Sequence, residues 1–316
     1  MKEIMIALVQ LVAGFVLLIK GADFFVDGSS SVAKRLRVPS LLIGLTIVAM
    51  GTSLPECAVS VTASMTGNNS LSISNAVGSN IFNLMVVCGV CALFVPLGIQ
   101  ASTLRAEFPF SILCAGLLLV LGYLGMILGR VDGIVLLVCF FGYLGYMIYS
   151  GLRARRGGNE DDSEEYEILP VWRCVLYIAG GAVAIKYGGD FVVEGASSVA
   201  TRFGLSQTLI GLTIVAMGTS LPELVTSIVA AKKHEVDMAV GNVIGSNIFN
   251  ILGVLGVAAL ISPVGFLMEN IIDIGVLIAV SLLVWAFGWT KQQINRKEGV
   301  LMLLIYAAYM VYICIR

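Results

Sequence analysis

Two glutamates, Glu56 and Glu223, close identical stretches of sequence, LIGLTIVAMGTSLPE, at Leu42–Glu56 and again 167 positions later at Leu209–Glu223. Each stretch falls inside an apolar run long enough to cross a bilayer. A carboxylate at membrane depth costs on the order of 2.5–3.5 kcal/mol, so such acids face a partner or a pathway. In Gly51-Thr-Ser-Leu-Pro-Glu56 the proline has no N–H, which leaves the Gly51 carbonyl without its helical donor and pushes Leu54 from helical angles. Non-helical backbone at this depth is tolerable where it is buried in protein or lines a wet cavity. The carbonyls near Ala49–Gly51, the hydroxyls of Thr52 and Ser53 and the carboxylate of Glu56 then form a run of oxygens. Gly218, Thr219, Ser220, Pro222 and Glu223 repeat it.

A second pair of motifs supplies neighbours. Asn75-Ala-Val-Gly-Ser-Asn-Ile-Phe-Asn83 matches Asn242-Val-Ile-Gly-Ser-Asn-Ile-Phe-Asn250 at the same offset. Ser79 and Asn83 are four apart and share a helix face, as do Ser246 and Asn250. The pooled donors are all oxygen, with no histidine or cysteine placed to join them, which suits hard cations such as Ca2+. Two facing glutamates at ~5 Å in an effective dielectric of ~20 repel by ~3 kcal/mol. One Ca2+ or two to three Na+ would relieve that strain, and so would protons. A carrier that moves loaded and stalls empty meets the requirement for antiport. The bland alternative is a structural kink, with the glutamate favouring the N-terminus of the next helix; two identical copies beside a matching second motif weigh against it.

The elements that must hold these residues are membrane helices. Of the 316 residues 58% are hydrophobic and only 12% charged, against about 25% charged in soluble domains, and the mean hydropathy is +0.97. Ten spans are expected, near 4–21, 40–65, 71–94, 106–128, 131–150, 171–188, 207–231, 236–260, 269–289 and 297–315. The first apolar run has no convincing cleavage site for a signal peptide and is read as the first span. RARRGGNEDDSEEYE (Arg153–Glu167) is the one strongly polar segment and reads as a solvated linker. This divides the chain into a first half of five spans (1–150), a linker (151–170) and a second half of five (171–316).

With the N-terminus outside, fourteen Lys and Arg residues fall on the inner side and five on the outer. That places both termini outside and the linker in the cytoplasm. Residues 10–98 align with 177–265 without a gap, and an odd number of spans per half makes the second half enter from the opposite side. The expected fold is therefore an all-α polytopic membrane protein of ten transmembrane helices, two inverted-topology repeats of five, with helices 2, 3, 7 and 8 interrupted and the site near the midplane.

Other polar residues read more simply. Asp23, Asp27, Asp190 and Glu194 are expected at span ends, as helix-end or solvated charges, with an ion-entry role as the lesser reading. His234, beside Lys232 and Lys233, reads as solvated. The seven cysteines lie in or beside apolar runs, and Cys88-Gly-Val-Cys91 lacks a second ligand pair, so they read as small buried hydrophobes. No basic cluster with interleaved aromatics points to nucleic acid.

At the twin GTSLPE and GSNIFN stretches the chain resembles the cation/Ca2+ exchanger superfamily, specifically prokaryotic-type Na+/Ca2+ exchangers. The resemblance covers nearly the whole chain and implies that Glu56 and Glu223 bind Ca2+ and also serve Na+. It implies that Thr52, Thr219 and the carbonyls of Ala49 and Ala216 complete that site, and that Ser53, Ser79, Ser220 and Ser246 ligate flanking Na+. It further implies sliding of the first and sixth helices against the core. Several relatives carry an aspartate where this chain has Asn250; the amide matches Asn83, removes one charge and argues against K+ co-transport.

The expected activity is Ca2+/Na+ antiport across the cell membrane, with Ca2+ and Na+ as substrates, the lipid bilayer as surroundings and no cofactor. H+-coupled exchange and a passive cation channel are alternatives. An intramembrane metalloprotease would need HExxH, which is missing, and no GxGD pattern supports an aspartyl type, so no enzyme is expected.

Overall fold

Long stretches of apolar residues with few helix breakers make this chain helical, and two helices exceed every expectation in length. The computed structural model describes residues 2–66, 70–156, 168–204, 214 and 216–315. Helix α1 runs Lys2–Leu36 and α10 runs Val171–Arg202. At 1.5 Å per residue α1 is roughly 50 Å long, more than a hydrocarbon layer of ~30 Å requires. The two pack against each other through glycines. A Cβ built on Gly14 would stand 2.8 Å from the Gly188 carbonyl, and one on Gly21 would stand 3.0 Å from the Gly181 carbonyl. These backbones touch because no side chains intervene, which joins α1 and α10 into one unit.

Helix 2 is broken as expected, but one residue earlier. Helix α2 (Ser40–Ile43) passes through a π-helical turn (Gly44–Val48) into α3 (Ala49–Thr52), and Ser53 then leaves helical angles with φ −84° and ψ 13°. Leu54, expected to be the displaced residue, instead starts α4 (Leu54–Met65), with Pro55 in its first turn, where a missing N–H costs nothing. The two segments meet at a bend of 49°. Helix 3 corrects the expectation of a break. Helix α5 (Ser70–Phe82), a π-helical turn (Asn83–Val87) and α6 (Cys88–Phe94) run on continuously. Lacking proline, the segment absorbs its irregularity as one wide turn.

The rest of the first half comprises β1 (Leu97–Gly98), α7 (Ala101–Arg105), α8 (Glu107–Tyr123), β2 (Ile127–Leu128) and α9 (Arg130–Arg156). After α10 a similar order returns among the described residues, without a counterpart of α7. Helix α11 (Ala216–Gly218) leads to α12 (Leu221–Lys232), then α13 (Val236–Ile248), a π-helical turn (Phe249–Val254) and α14 (Leu255–Ile261). Helix 8 is therefore also continuous rather than interrupted. β3 (Val264–Gly265), α15 (Met268–Lys291), β4 (Gln293–Ile294) and α16 (Arg296–Ile315) complete the chain. The strands were not expected. They are two-residue pairings between loops of opposite halves, β1 with β4 and β2 with β3.

Among the described residues eight helices are long and apolar enough to span a membrane, nine if the bent pair Ser40–Thr52 and Leu54–Met65 counts as one. The chain is a multi-pass, all-helical membrane protein. The span expected at 207–231 falls partly outside the described residues, as do most of the linker and residues 209–213 and 215 of the second repeated stretch.

The core has two parts. A large cluster joins α5, α6, α8, α9, α13 and α15 through residues such as Ile81, Leu118, Ile248 and Leu277. A smaller one lies under α1, where Leu18, Ala22, Phe25 and Val26 meet Val229, Ala230 and Ala231 of α12. Helix α1 thus packs along α12, whereas among the described residues no comparable packing joins α10 to α4. Asp23 and Asp27 lie in the interior of α1, not at its end, because Lys233 reaches them: its Nζ is 2.7 Å from Asp27 Oδ1 and 3.4 Å from Asp23 Oδ1. Asp190 and Glu194 lie inside α10; Lys186 pairs with Asp190 at 2.5 Å and Gln10 donates to Glu194 at 3.3 Å.

Candidate cation site

The break at Ser53 puts Glu56 in the first turn of α4, on its buried side, while Leu54 faces out. Glu56 and Glu223 are both 0% exposed. Each carboxylate is held by the other half of the chain: Ser53 Oγ donates to Glu223 Oε1 at 2.7 Å, and Ser220 Oγ donates to Glu56 Oε1 at 3.0 Å. Ser79 Oγ reaches Glu56 Oε1 at 3.4 Å. The two identical motifs therefore interlock across the interface between the halves, and three of the expected site residues, Ser53, Ser79 and Ser220, bond directly to the two acids.

Each glutamate keeps one oxygen, Oε2, buried and without a hydrogen-bond partner, and the side-chain oxygens of Asn83 and Asn250 are in the same condition. A buried acceptor left bare costs roughly 1–3 kcal/mol, and more when charged. Four such oxygens, supplied in equal pairs by residues that sequence symmetry relates, are the condition that a bound cation would relieve. Among the described residues no three His, Cys, Asp or Glu side chains cluster. A cation here must be held by two carboxylates and neutral oxygens, which fits Ca2+ or Na+ rather than a transition metal.

The remaining expected residues surround this centre. Thr52 is buried, and its single hydroxyl hydrogen has the carbonyls of Val48 and Ala49 and the side-chain oxygen of Asn242 within 3.1, 3.3 and 3.1 Å. The Ala49 carbonyl was expected to be released by the break, yet it accepts from the Ser53 amide at 3.1 Å, because the missing donor belongs to Pro55, four residues after Gly51. Ser246 Oγ of the other half approaches the same carbonyl at 3.4 Å. Thr219 is half-buried in the turn before Ser220. Ala216 begins α11, and its side chain lies outside the described residues.

Sequence reasoning passed over a supporting set. Asn75 Nδ2 donates to the Glu56 carbonyl at 3.2 Å and Ser60 Oγ at 3.1 Å; Asn242 Nδ2 does likewise to the Glu223 carbonyl at 3.5 Å and Ser227 Oγ at 2.9 Å. These bonds tie the helix carrying each glutamate to the helix after it. The signal was present, since Asn75 and Asn242 open the second repeated motif and Ser60 and Ser227 stand 167 apart.

Comparison with known proteins gives the family. The sequence profile described as "Sodium/calcium exchanger protein" matches residues 6–149 and 174–315. The "Putative antiporter CaxA" of Alkalimonas amylolytica is 39% identical, over 96% of this chain and 98% of its own length. "Sodium/calcium exchanger MaX1" of Methanosarcina acetivorans is 34% identical, over 95% and 96%. Among solved structures, the sodium-calcium exchanger NCX_Mj soaked with Na+ and Sr2+ superposes with a TM-score of 0.84 at 33% identity, covering 98% of this chain and 99% of that one. The chain belongs to the sodium/calcium exchanger family.

Proposed function

We propose that this protein is a secondary antiporter of the cell membrane that exchanges Ca2+ for Na+ by alternating access. The observation that carries the reading is the pair of buried carboxylates, one from each half, each clasped by a serine of the other half and each with one bare oxygen. A site carrying two negative charges in low dielectric is stable when one Ca2+ or at least two Na+ occupy it, so the ions compete for it and the empty carrier is penalised. Ca2+ would take Glu56, Glu223, Thr52, Thr219 and the carbonyls of Ala49 and Ala216. Na+ would use the same glutamates with Ser53, Ser79, Ser220 and Ser246. Asn83 and Asn250 offer amide oxygens to either.

Alternating access is supported by the unequal cover of the two halves. The groove along α4, lined by Ala58, Val59, Thr62, Ala63, Thr66 and Leu71, is open. The matching face of α12, Leu221, Val225 and Val229, lies under α1. We read the chain as ten helices in two inverted repeats, 1–150 and 171–316, joined by a cytoplasmic linker at 151–170, with both termini outside. Lys20 and Lys186 stand midway along α1 and α10 rather than at a membrane face, and the remaining Lys and Arg keep the same bias. In this orientation α1 closes the cytoplasmic side and the α4 groove opens outward. Sliding of the joined α1–α10 unit would uncover α12 and cover α4.

The test is Ca2+ uptake into proteoliposomes with outward gradients of Na+, K+ or H+ applied singly. Uptake that requires internal Na+ is expected. Uptake driven only by the proton gradient would keep the site and overturn the coupling ion, and uptake without any gradient would indicate a channel.

A further inference from the structure

Asn80 and Asn247 lie beside the serine–asparagine face of α5 and α13 and meet across the interface between the halves. Asn80 Nδ2 donates to the Asn247 carbonyl at 3.0 Å, and Asn247 Nδ2 donates to the Asn80 carbonyl at 3.3 Å. A backbone carbonyl can only accept, so each of these amides must turn its nitrogen to it and its oxygen away. Those oxygens are buried and need donors. Asn250 Nδ2 supplies one, to Asn80 Oδ1 at 3.1 Å, and Asn83 Nδ2 supplies the other, to Asn247 Oδ1 at 3.2 Å. Once the nitrogens of Asn83 and Asn250 are committed, only their oxygens remain, buried and bare.

We infer that Asn80 and Asn247 are positioning residues that fix the amide orientation of Asn250 and Asn83, so that an oxygen and not an NH2 group is presented to the cation. This rests on the exchanger reading. An amide free to flip would offer an NH2 donor to a cation, which repels it. The arrangement also bears on why the site tolerates an amide at position 250: a carboxylate there would set oxygen against Asn80 Oδ1, whereas an amide completes the network.

The test is a double-mutant cycle on Na+-driven Ca2+ uptake, with folding followed by size-exclusion elution. Asn80→Leu frees the Asn250 amide and is expected to raise the KM for Ca2+ roughly tenfold with kcat nearly constant. In an Asn250→Asp background both atoms at that position are oxygens, and Asn80→Leu now removes a clash with Asn80 Oδ1 instead of a hydrogen bond. The same Asn80→Leu change should then cost less than about twofold relative to Asn250→Asp alone, or improve uptake. An equal penalty in both backgrounds would show a merely structural role and overturn the inference, as would an unaltered KM in the single variant. Should Asn80→Leu fail to fold, Asn80→Ser, which admits water to the Asn247 carbonyl, replaces it. The reciprocal cycle of Asn247→Leu with Asn83→Asp carries the same expectation. Wild-type protein without Na+-driven uptake would instead count against the exchanger reading.

Discussion

The two copies of GTSLPE have one sequence and two shapes. In the first copy a single residue leaves the helix, the Ser53 amide still reaches the Ala49 carbonyl at 3.1 Å, and Thr52 is buried. In the second copy Thr219 and Ser220 both form a turn, the Ser220 amide bonds instead to Met217 at 3.2 Å, and Thr219 is half-buried. The helices after the two breaks differ more. On α4, Leu54 is 52% and Met65 73% exposed, with Ala58 and Thr62 open between them. The counterparts of Leu54, Ala58 and Thr62 on α12, Leu221, Val225 and Val229, are packed under α1, and Lys233 fastens that contact to Asp23 and Asp27. Within GTSLPE the sequence is the same, so the two turn shapes come from their surroundings; the helices that follow also differ in sequence, with Ala58, Thr62 and Thr66 standing where α12 has Val225, Val229 and Lys233. The α1–α10 unit covers the more apolar of the two faces, so the two related segments are seen in one molecule under unequal cover.

If the halves differ in cover but share one site, removing either acid should be equally severe. Glu56→Gln and Glu223→Gln are each expected to lower Ca2+ uptake on the order of 100-fold or more while leaving folded protein; transport that survives in one would break the symmetry of the site. The cross-half serines come next. Ser53→Ala should weaken Ca2+ affinity roughly tenfold, as expected for losing a hydrogen bond to a charged group. Ser220→Ala, which removes the longer bond at 3.0 Å, should cost less; Ca2+ titration of the purified variants distinguishes them.

The smallest effects concern the fastening of α1. The pair to Lys233 is part-exposed and worth about 1 kcal/mol, roughly fivefold in an equilibrium. Lys233→Met should shift the resting protein by about that much toward the state with α12 uncovered, read by protease or thiol accessibility. Thr66 occupies the position corresponding to Lys233, and Asp190 and Glu194 correspond to Asp23 and Asp27. Thr66→Lys should therefore build the missing fastening and favour the opposite state by a similar factor.

Much of this was legible because the repeat is. The constant offset exposed Glu56, Glu223 and their serines as a set, and oxygen-only chemistry pointed to a hard cation. The offset falls to 166 in the outer helices, where Asp132 caps the Gly129 amide at 2.7 Å and Glu298 the Asn295 amide at 2.8 Å. The lengths of α1 and α10 were not legible, since Asp23 and Asp190 interrupt the apolar run, and only part of what neutralises them, Lys20 for Asp23 and Lys186 for Asp190, lies nearby in sequence. The partner that Asp23 and Asp27 share, Lys233, is more than 200 residues away. Asn80 and Asn247 escaped notice for a related reason. One residue on from Ser79 and Ser246, they point roughly 100° away around the helix, toward the other half rather than the ions. The π-helical turns carry no proline or other local mark, so continuous helices 3 and 8 could not be told from broken ones.

Alternating cover of the two halves is tested most directly by two-sided thiol labelling of Thr62→Cys on α4 and Val229→Cys on α12, each in a cysteine-free background in sealed vesicles of known orientation. In the resting protein Thr62→Cys should react from outside and Val229→Cys should be protected, and conditions that uncover Val229→Cys from the cytoplasmic side should protect Thr62→Cys. Labelling of both positions together, or from the same side, would contradict alternating cover.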